Sequence, residues 1–226
     1  MLVSLSVEMC TKEDSAMLEL FIQGGPVMYP LLACSIISLT VIIDRTIFWV
    51  RMGMHRNPTL VEEILDLSRV GDWESIRDRE NGSKDYVIRI LISGILHREF
   101  SMTKAMESAA ADELKKMRRF MGVLDTNITV SPLLGIFGTV IGIIHSFDML
   151  GATGIEAPQA VTAGIAQALI TTASGLGIAI FSVFPYNYFN SRVENAMLAI
   201  EKYATRLEIV YEKLTGGSDI RNKEAQ

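Results

Sequence analysis

Three stretches of this chain, residues 20–43, 126–147 and 157–191, contain no Asp, Glu, Lys or Arg. A helix of about 20 apolar residues crosses the hydrocarbon core of a bilayer, roughly 30 Å thick. Lipid offers the backbone no hydrogen-bond partner, so a spanning segment of this kind must pair its own N–H and C=O groups as a helix. Buried helices of a soluble core are the alternative, but three such runs in 226 residues are uncommon in soluble proteins. Charged residues still make up 21% of the chain, so the expectation is an all-α membrane protein with three transmembrane helices and long helical extensions in water. The expected segmentation is an extracytoplasmic segment 1–20, spans at 21–50, 126–148 and 161–190, a cytoplasmic helical region 51–125, a periplasmic loop 149–160, and a cytoplasmic C-terminal helix and tail 191–226.

Lys and Arg set the orientation. One lies in the first nineteen residues, none in 148–156, thirteen in 51–125 and six after Ser191. Positive residues stay on the cytoplasmic side, which places the N-terminus and the short loop outside and the C-terminus inside. Tyr29 and the Phe48–Trp49 pair are suited to the two interfaces. The first sixteen residues have no basic n-region and an apolar run broken by Glu8, unlike a cleaved signal peptide. The first span is therefore expected to act as an uncleaved anchor.

The second and third spans are rich in small residues. PLLGIFGTVIG (132–142) carries Gly135, Gly138 and Gly142, and GIAQALITTASGLGIAI (164–180) carries Ala168, Thr172, Gly175 and Ala179, a series that continues to Ser182. Small residues at helical spacing let backbones approach closely inside a membrane. Tight packing alone would explain the series. Depth adds a second reading. Thr139 lies nine residues before Asp148 and Thr172 eleven after Val161, so at 1.5 Å per residue both hydroxyls sit roughly 14–16 Å deep, matched near the middle of the bilayer. Thr171 points about 100° away from Thr172. Matched hydroxyls on small-residue faces point to a polar path between helices.

That path has no titrating group of its own. Proton relays within membranes use Asp, Glu or His, and neither charge-free run, 126–147 or 157–191, has a carboxylate. His145, three residues from Asp148, reads as an interfacial residue. A proton path here would need its titrating group from another chain. Two cysteines and three scattered histidines provide no metal-ligand spacing; Cys10 is expected outside and Cys34 inside the first span, so they should not pair. No nucleophile–base pair or phosphate loop marks an enzyme, no cofactor is expected, and no basic stripe marks nucleic-acid binding.

Along the aqueous part, Asn57-Pro58 reads as a helix start, with Leu60, Ile64 and Leu67 on one face and Gly71 as its stop. Asp72 caps a short helix with Trp73 and Ile76, and Asn81-Gly82 is a turn. A helix follows through Tyr86, Ile90 and Ile95. Ser101 caps a long one that is expected to run through Lys115–Arg119 into the second span. Residues 194–214 read as a helix with Ile200, Tyr203, Leu207 and Val210 on one side, and the polar tail from Gly216 is expected to be disordered.

The segments GGPVMYPLLACSIISLTVIIDR (24–45), PLLGIFGTVIGIIHSF and GIAQALITTASGLGIAIFSVFPYNYF resemble the three spans of the MotA/TolQ/ExbB proton-channel family, the first with its closing acidic-Arg pair. Three spans rather than four favour the ExbB/TolQ-like branch. The resemblance implies a homo-pentameric inner-membrane stator around a central pore. That pore would enclose the single membrane helices, two copies, of an ExbD/TolR-like partner whose aspartate titrates, and the work would reach a periplasmic or outer-membrane client. It also implies that Thr139 and Thr172 are pore threonines. Gln167, about 9 Å inside the third span, stands where many ExbB and TolQ proteins have Glu, and is expected to line the pore as a neutral polar contact that cannot titrate. A membrane scaffold that only oligomerises, and a stator for gliding or similar motility, are the competing readings.

Overall fold

A computed structural model describes residues 19, 21–79, 83–153 and 158–224, with side chains at 19, 21–76, 83–151 and 162–215. The expected N-terminal segment with Cys10, the Asn81-Gly82 turn and residues 154–157 of the loop lie outside the described residues. The elements are α1 (Met28–Met54), α2 (Pro58–Val70), α3 (Trp73–Arg79), α4 (Tyr86–Leu96), α5 (Met102–Met117), α6 (Met121–Thr153) and α7 (Pro158–Glu224). Every element among the described residues is a helix. Three of them, α1, α6 and α7, are long and apolar enough to cross a membrane. At 1.5 Å per residue their 27, 33 and 67 residues extend about 40, 50 and 100 Å, each more than a bilayer core.

The described residues form two compact units, one of the chain through Ile43 with Phe120–Asn187, the other of Asp44–Arg119 with the chain from Tyr188. In the first unit, α6 buries Ser131, Gly135, Gly138, Gly142 and Ser146, and α7 buries Gly164, Ala168, Thr171, Gly175, Ala179 and Ser182. Their steps of three and four keep each set on one helical face. The outward faces carry Leu133, Ile136, Phe137, Val140, Leu169, Ile180 and Phe181, all exposed, as suits contact with lipid or other apolar helices. Asn127 ties α6 to α1: its Nδ2 donates to Cys34 O at 2.9 Å and to Ser38 Oγ at 3.0 Å. Such interhelical bonds contribute about 0.6 kcal/mol each in a membrane.

The second unit is built from capped helices. Asn57 Oδ1 accepts from Leu60 N with Pro58 in the first turn, and Gly71 closes α2 at φ 79°, a left-handed conformation that glycine adopts without penalty. Asp72 Oδ1 accepts from Ser75 N at 3.2 Å, and Ser101 caps α5 through Lys104 N. Asp85 caps α4 through Val87 N at 2.9 Å and accepts from Asn57 N at 2.8 Å, so one buried carboxylate fixes the starts of two helices. The buried face of α2 is Val61, Ile64, Leu65 and Ser68. It is rotated from the expected face, and Leu60 and Leu67 are only half-buried at its edges. Most of α4 is buried, and Val193, Ala196, Ile200 and Leu207 of α7 complete the core of this unit. A bidentate pair joins Arg206 to Glu62 at 2.6 and 2.7 Å. The Arg206 hydrogen bond holds the Glu62 carboxyl below its ordinary range. Its stabilisation is present above the unfolded pKa and is lost as pH falls through the lowered one; at an exposed site it is small.

Three sequence expectations are corrected. The helix beginning at Met102 does not run into the second span. It ends at Met117, Arg118 turns at φ −82°, ψ −2°, and Phe120 adopts φ 63° before α6 starts at Met121. No Gly or Pro marks this break. The buried Arg45 accounts for the end of α5: its Nη1 donates to Lys116 O at 3.1 Å and Met117 O at 3.4 Å, a cation on the orphan carbonyls of a helix C-terminus. The tail is also not irregular, since α7 continues through Gly216 and Gly217 to Glu224. A helix already nucleated over the preceding turns propagates through weak formers more easily than it starts among them. The expected loop 149–160 is likewise shortened, because α6 continues to Thr153 and α7 begins at Pro158.

Arg45→Met should lower the stability of the purified chain by about 2 kcal/mol, the scale of hydrogen bonds from a charged donor. Arg45→Lys, which keeps the charge and loses the fork, should fall between. Thermal unfolding in detergent checks this, and a Met variant that melts with the parent would contradict the clamp.

Candidate functional site

The α6/α7 contact is made by backbone as much as by side chains. A Cβ on Gly175 would lie 2.4 Å from Ser131 O and 3.0 Å from Gly135 Cα; one on Gly135 would lie 3.0 Å from Thr171 O and 3.1 Å from Thr172 Cα. Gly142 and Gly164 face each other in the same way, the Cβ of the first falling 2.9 Å from Gly164 O. Gly175 and Gly142 leave no room for a methyl group, and at Gly135 the facing backbone would have to give by a few tenths of an ångström. The small-residue series is thus used within one chain, packing α6 against α7. Its central member on α7 is Thr171, fully buried, where the sequence expectation has Thr172.

Close approach brings two hydroxyls together across the pair. Thr139 Oγ1 and Thr172 Oγ1 hydrogen-bond each other. Thr172 Oγ1 is 3.1 Å from Gly135 O, and Thr139 Oγ1 is 3.2 Å from Gly135 O and 3.3 Å from Ala168 O. Two hydroxyl protons therefore have three kinds of acceptor within reach: two carbonyls and each other's oxygen. A proton on either hydroxyl can be redirected without moving a backbone atom, and each oxygen can also accept. Both side chains are half-buried, at the edge of the contact. Thr139 lines an otherwise mainly apolar cleft of about 330 Å3 with Ile143, Phe147, Ile165 and Leu169. Thr171, by contrast, returns its hydroxyl to its own helix, to Ala168 O at 2.9 Å and Gln167 O at 3.3 Å.

Gln167 is not brought to the threonine pair. Its amide lies against Gly25, where a Cβ would come within 2.1 Å of Nε2. Gly25 sits at φ 71°, in a turn closed by its N–H to Ile22 O, so the glycine serves both the turn and the amide. Five residues separate Gln167 from Thr172, about 140° around the helix. His145 is exposed. Among the described residues no cluster of His, Cys, Asp or Glu could hold a metal ion, and Cys34 is a free thiol.

Sequence reasoning missed several members of this region. Gly164 and Ser146 extend the seam, with Ser146 Oγ bonded to Gly142 O at 2.9 Å. The step of four from Gly164 to Ala168 was the available signal. Ser131 is fully buried and its hydroxyl makes no hydrogen bond; only the neighbour across the seam reveals that, and sequence does not supply it.

Comparison with known proteins places the chain among relatives. Residues 84–202 match the model of the MotA/TolQ/ExbB proton channel family. The chain is 33% identical over 195 residues to the biopolymer transport protein ExbB-like 3 of Synechocystis, covering 84% of this chain and 92% of that one. It is 35% identical over 206 residues to ExbB-like 1 of the same organism, covering 88% and 80%. A shorter match, 42% over 90 residues and 40% of each chain, is to the Tol-Pal system protein TolQ of Haemophilus influenzae.

Gly175→Ala should destabilise the chain measurably, since its methyl meets backbone that cannot retreat. Gly177→Ala, two residues on in the same helix with nothing within 4 Å, should be neutral or slightly stabilising. Equal melting temperatures for the two variants in one detergent would contradict the backbone contact.

Proposed function

The chain belongs to the MotA/TolQ/ExbB proton channel family, and we propose that it is the stator subunit of a proton-motive-force-driven, energy-transducing motor of the inner membrane. The observation that carries the proposal is the Thr139–Thr172 hydroxyl pair, held at the edge of the α6/α7 contact. The charge-free runs of α6 and α7 around it have no titratable carboxylate. A hydroxyl pair can pass or accept a hydrogen bond but cannot store a proton at physiological pH. The titrating group therefore comes from a second chain, which the family resemblance identifies as an ExbD/TolR-like single-span protein with a membrane aspartate.

In this proposal five copies surround a central pore lined by α6 and α7, and two partner helices occupy it. The N-terminus is periplasmic and the C-terminus cytoplasmic, following the Lys and Arg distribution. The partner carboxylate, when ionised, accepts from the threonine hydroxyls, and when protonated it donates to them. The hydroxyl pair thus offers both charge states a partner at one depth, which lowers the cost of carrying a charge through a dry region. Movement of the partner past successive copies couples proton passage to work on a periplasmic or outer-membrane client. The alternative of a scaffold that oligomerises through its small-residue seams is disfavoured, because those seams are used between α6 and α7 of a single chain.

Replacing both threonines by valine keeps their shape and removes both hydroxyls. Assembly with the partner should survive while proton-driven activity falls at least tenfold. Normal client activity in the double variant, measured beside native mass spectrometry of the complex, would contradict the role of the pair.

Gln167 is proposed as a neutral polar contact in the outer half of the pore, not an ion-binding group. Gln167→Leu should weaken coupling with the oligomer intact, and Gln167→Glu should be tolerated at low pH and increasingly harmful as pH rises and the new carboxylate ionises. Activity that does not change with either substitution across pH would reduce Gln167 to packing.

A further inference from the structure

A small cleft in the second unit is not used by the function proposed above. It has a volume of about 120 Å3 and is lined by Trp49 and Gly53 of α1, Arg56, Tyr86 of α4, and Arg192 and Asn195 of α7. That is the scale of a few water molecules at about 30 Å3 each, and so of one tetrahedral oxyanion. Its lining holds two guanidinium groups and no carboxylate.

Two of the residues that line this cleft carry a buried N–H without a hydrogen bond. Trp49 is only 8% exposed, and its indole Nε1–H is buried with no hydrogen-bond partner. Buried indole N–H groups normally find one. Arg56 Nε also lacks a hydrogen bond. It stands 3.5 Å from Asp85 Oδ2, an ion pair without a hydrogen bond, while its Nη1 donates to Tyr86 Oη. The Asp85 carboxylate is already engaged by the Asn57 and Val87 N–H groups, so it neutralises Arg56 at most. Arg192 lies over the Tyr188 ring at 5.5 Å and has no ion-pair partner among the described residues. One positive charge is left over, beside two unused N–H donors.

The position of the cleft selects the anion. Trp49 and Phe48 lie near the end of the first apolar helix, and aromatic residues of this kind sit at the headgroup level of a membrane. Basic pockets at that level recognise lipid phosphates, and guanidinium groups bind phosphate oxygens through charge-assisted hydrogen bonds. We propose that this cleft binds a phosphate oxyanion, the headgroup phosphodiester of an anionic phospholipid, between Arg192, Arg56 and the Trp49 indole N–H. The site does not depend on the proton path or on which side of the membrane the termini lie, since both leaflets present phosphates.

The test uses the full-length chain, delipidated in its native oligomer in detergent and titrated with phosphatidylglycerol, with lipid adducts counted by native mass spectrometry. Arg192→Gln removes the free charge at an exposed position, and Trp49→Phe keeps a ring while deleting the N–H. Apparent affinity should fall at least fivefold in the first and about threefold in the second. Arg51→Gln, an equal charge change at an exposed arginine outside the cleft, should have little effect. A second arm follows Trp49 emission in a Trp73→Phe background as inorganic phosphate is added without lipid. An Arg192-dependent response to phosphate, with no specific lipid adduct, supports the oxyanion site and overturns its assignment to lipid. Binding unchanged in Arg192→Gln and Trp49→Phe, or lost equally in Arg51→Gln, overturns the site itself.

Discussion

The backbone contact between α6 and α7 is the constraint on which the candidate site depends. In lipid the hydrophobic effect gives no drive for one apolar helix to leave the bilayer for another. Association then depends on how many atoms come within van der Waals distance, and each contact is individually small. Gly135, Gly138 and Gly142 on one helix, with Gly164 and Gly175 on the other, remove the side chains that would hold the axes apart. Gly175 meets Ser131 O and Gly135 Cα so closely that even a methyl group is excluded. With the axes this near, a threonine hydroxyl can reach across to the opposite carbonyl.

Chemistry follows from that proximity. At ordinary helix separation Thr139 and Thr172 would each bond back to their own helix, as Thr171 does. Here each has a partner on the opposite helix and each other. The arrangement is rigid, because glycine-packed backbone supports it, and it remains at the edge of the contact, because Thr171 takes the central position. A fixed, uncharged, two-way hydrogen-bonding group is suited to a carboxylate that must alternate between charged and neutral forms. The second unit solves a different problem with buried charges. Asp85 fixes two helix starts and Arg45 a helix end. In each case an ion placed on orphan backbone groups defines where a helix begins or ends, independently of propensity.

Much of this was legible in the sequence. Freedom from charge over three runs marks spans, and the caps at Asn57, Asp72 and Ser101, with the Gly71 stop, follow from local side-chain chemistry. The matched depth of Thr139 and Thr172 needed only helix rise and chain direction, and the two hydroxyls do meet. What escaped depends on neighbours distant in sequence. Phe120 carries no turn signature, and Arg45, which ends the preceding helix, is 71 residues from Lys116. The choice of Thr171 over Thr172 as the seam residue turns on a rotation smaller than a periodicity count resolves. Gln167 lies against Gly25 because a turn before α1 folds back toward α7, and no spacing rule reports that.

The most direct test of the central claim is a structure of the complex co-purified with a single-span partner that carries a membrane aspartate. The account predicts five copies of this chain with α6 and α7 lining the pore, and a partner aspartate oxygen within about 3 Å of the Thr139 or Thr172 hydroxyl in at least one copy. Threonine pairs facing lipid or sealed against other copies of the chain, with the partner aspartate at another depth, would contradict it.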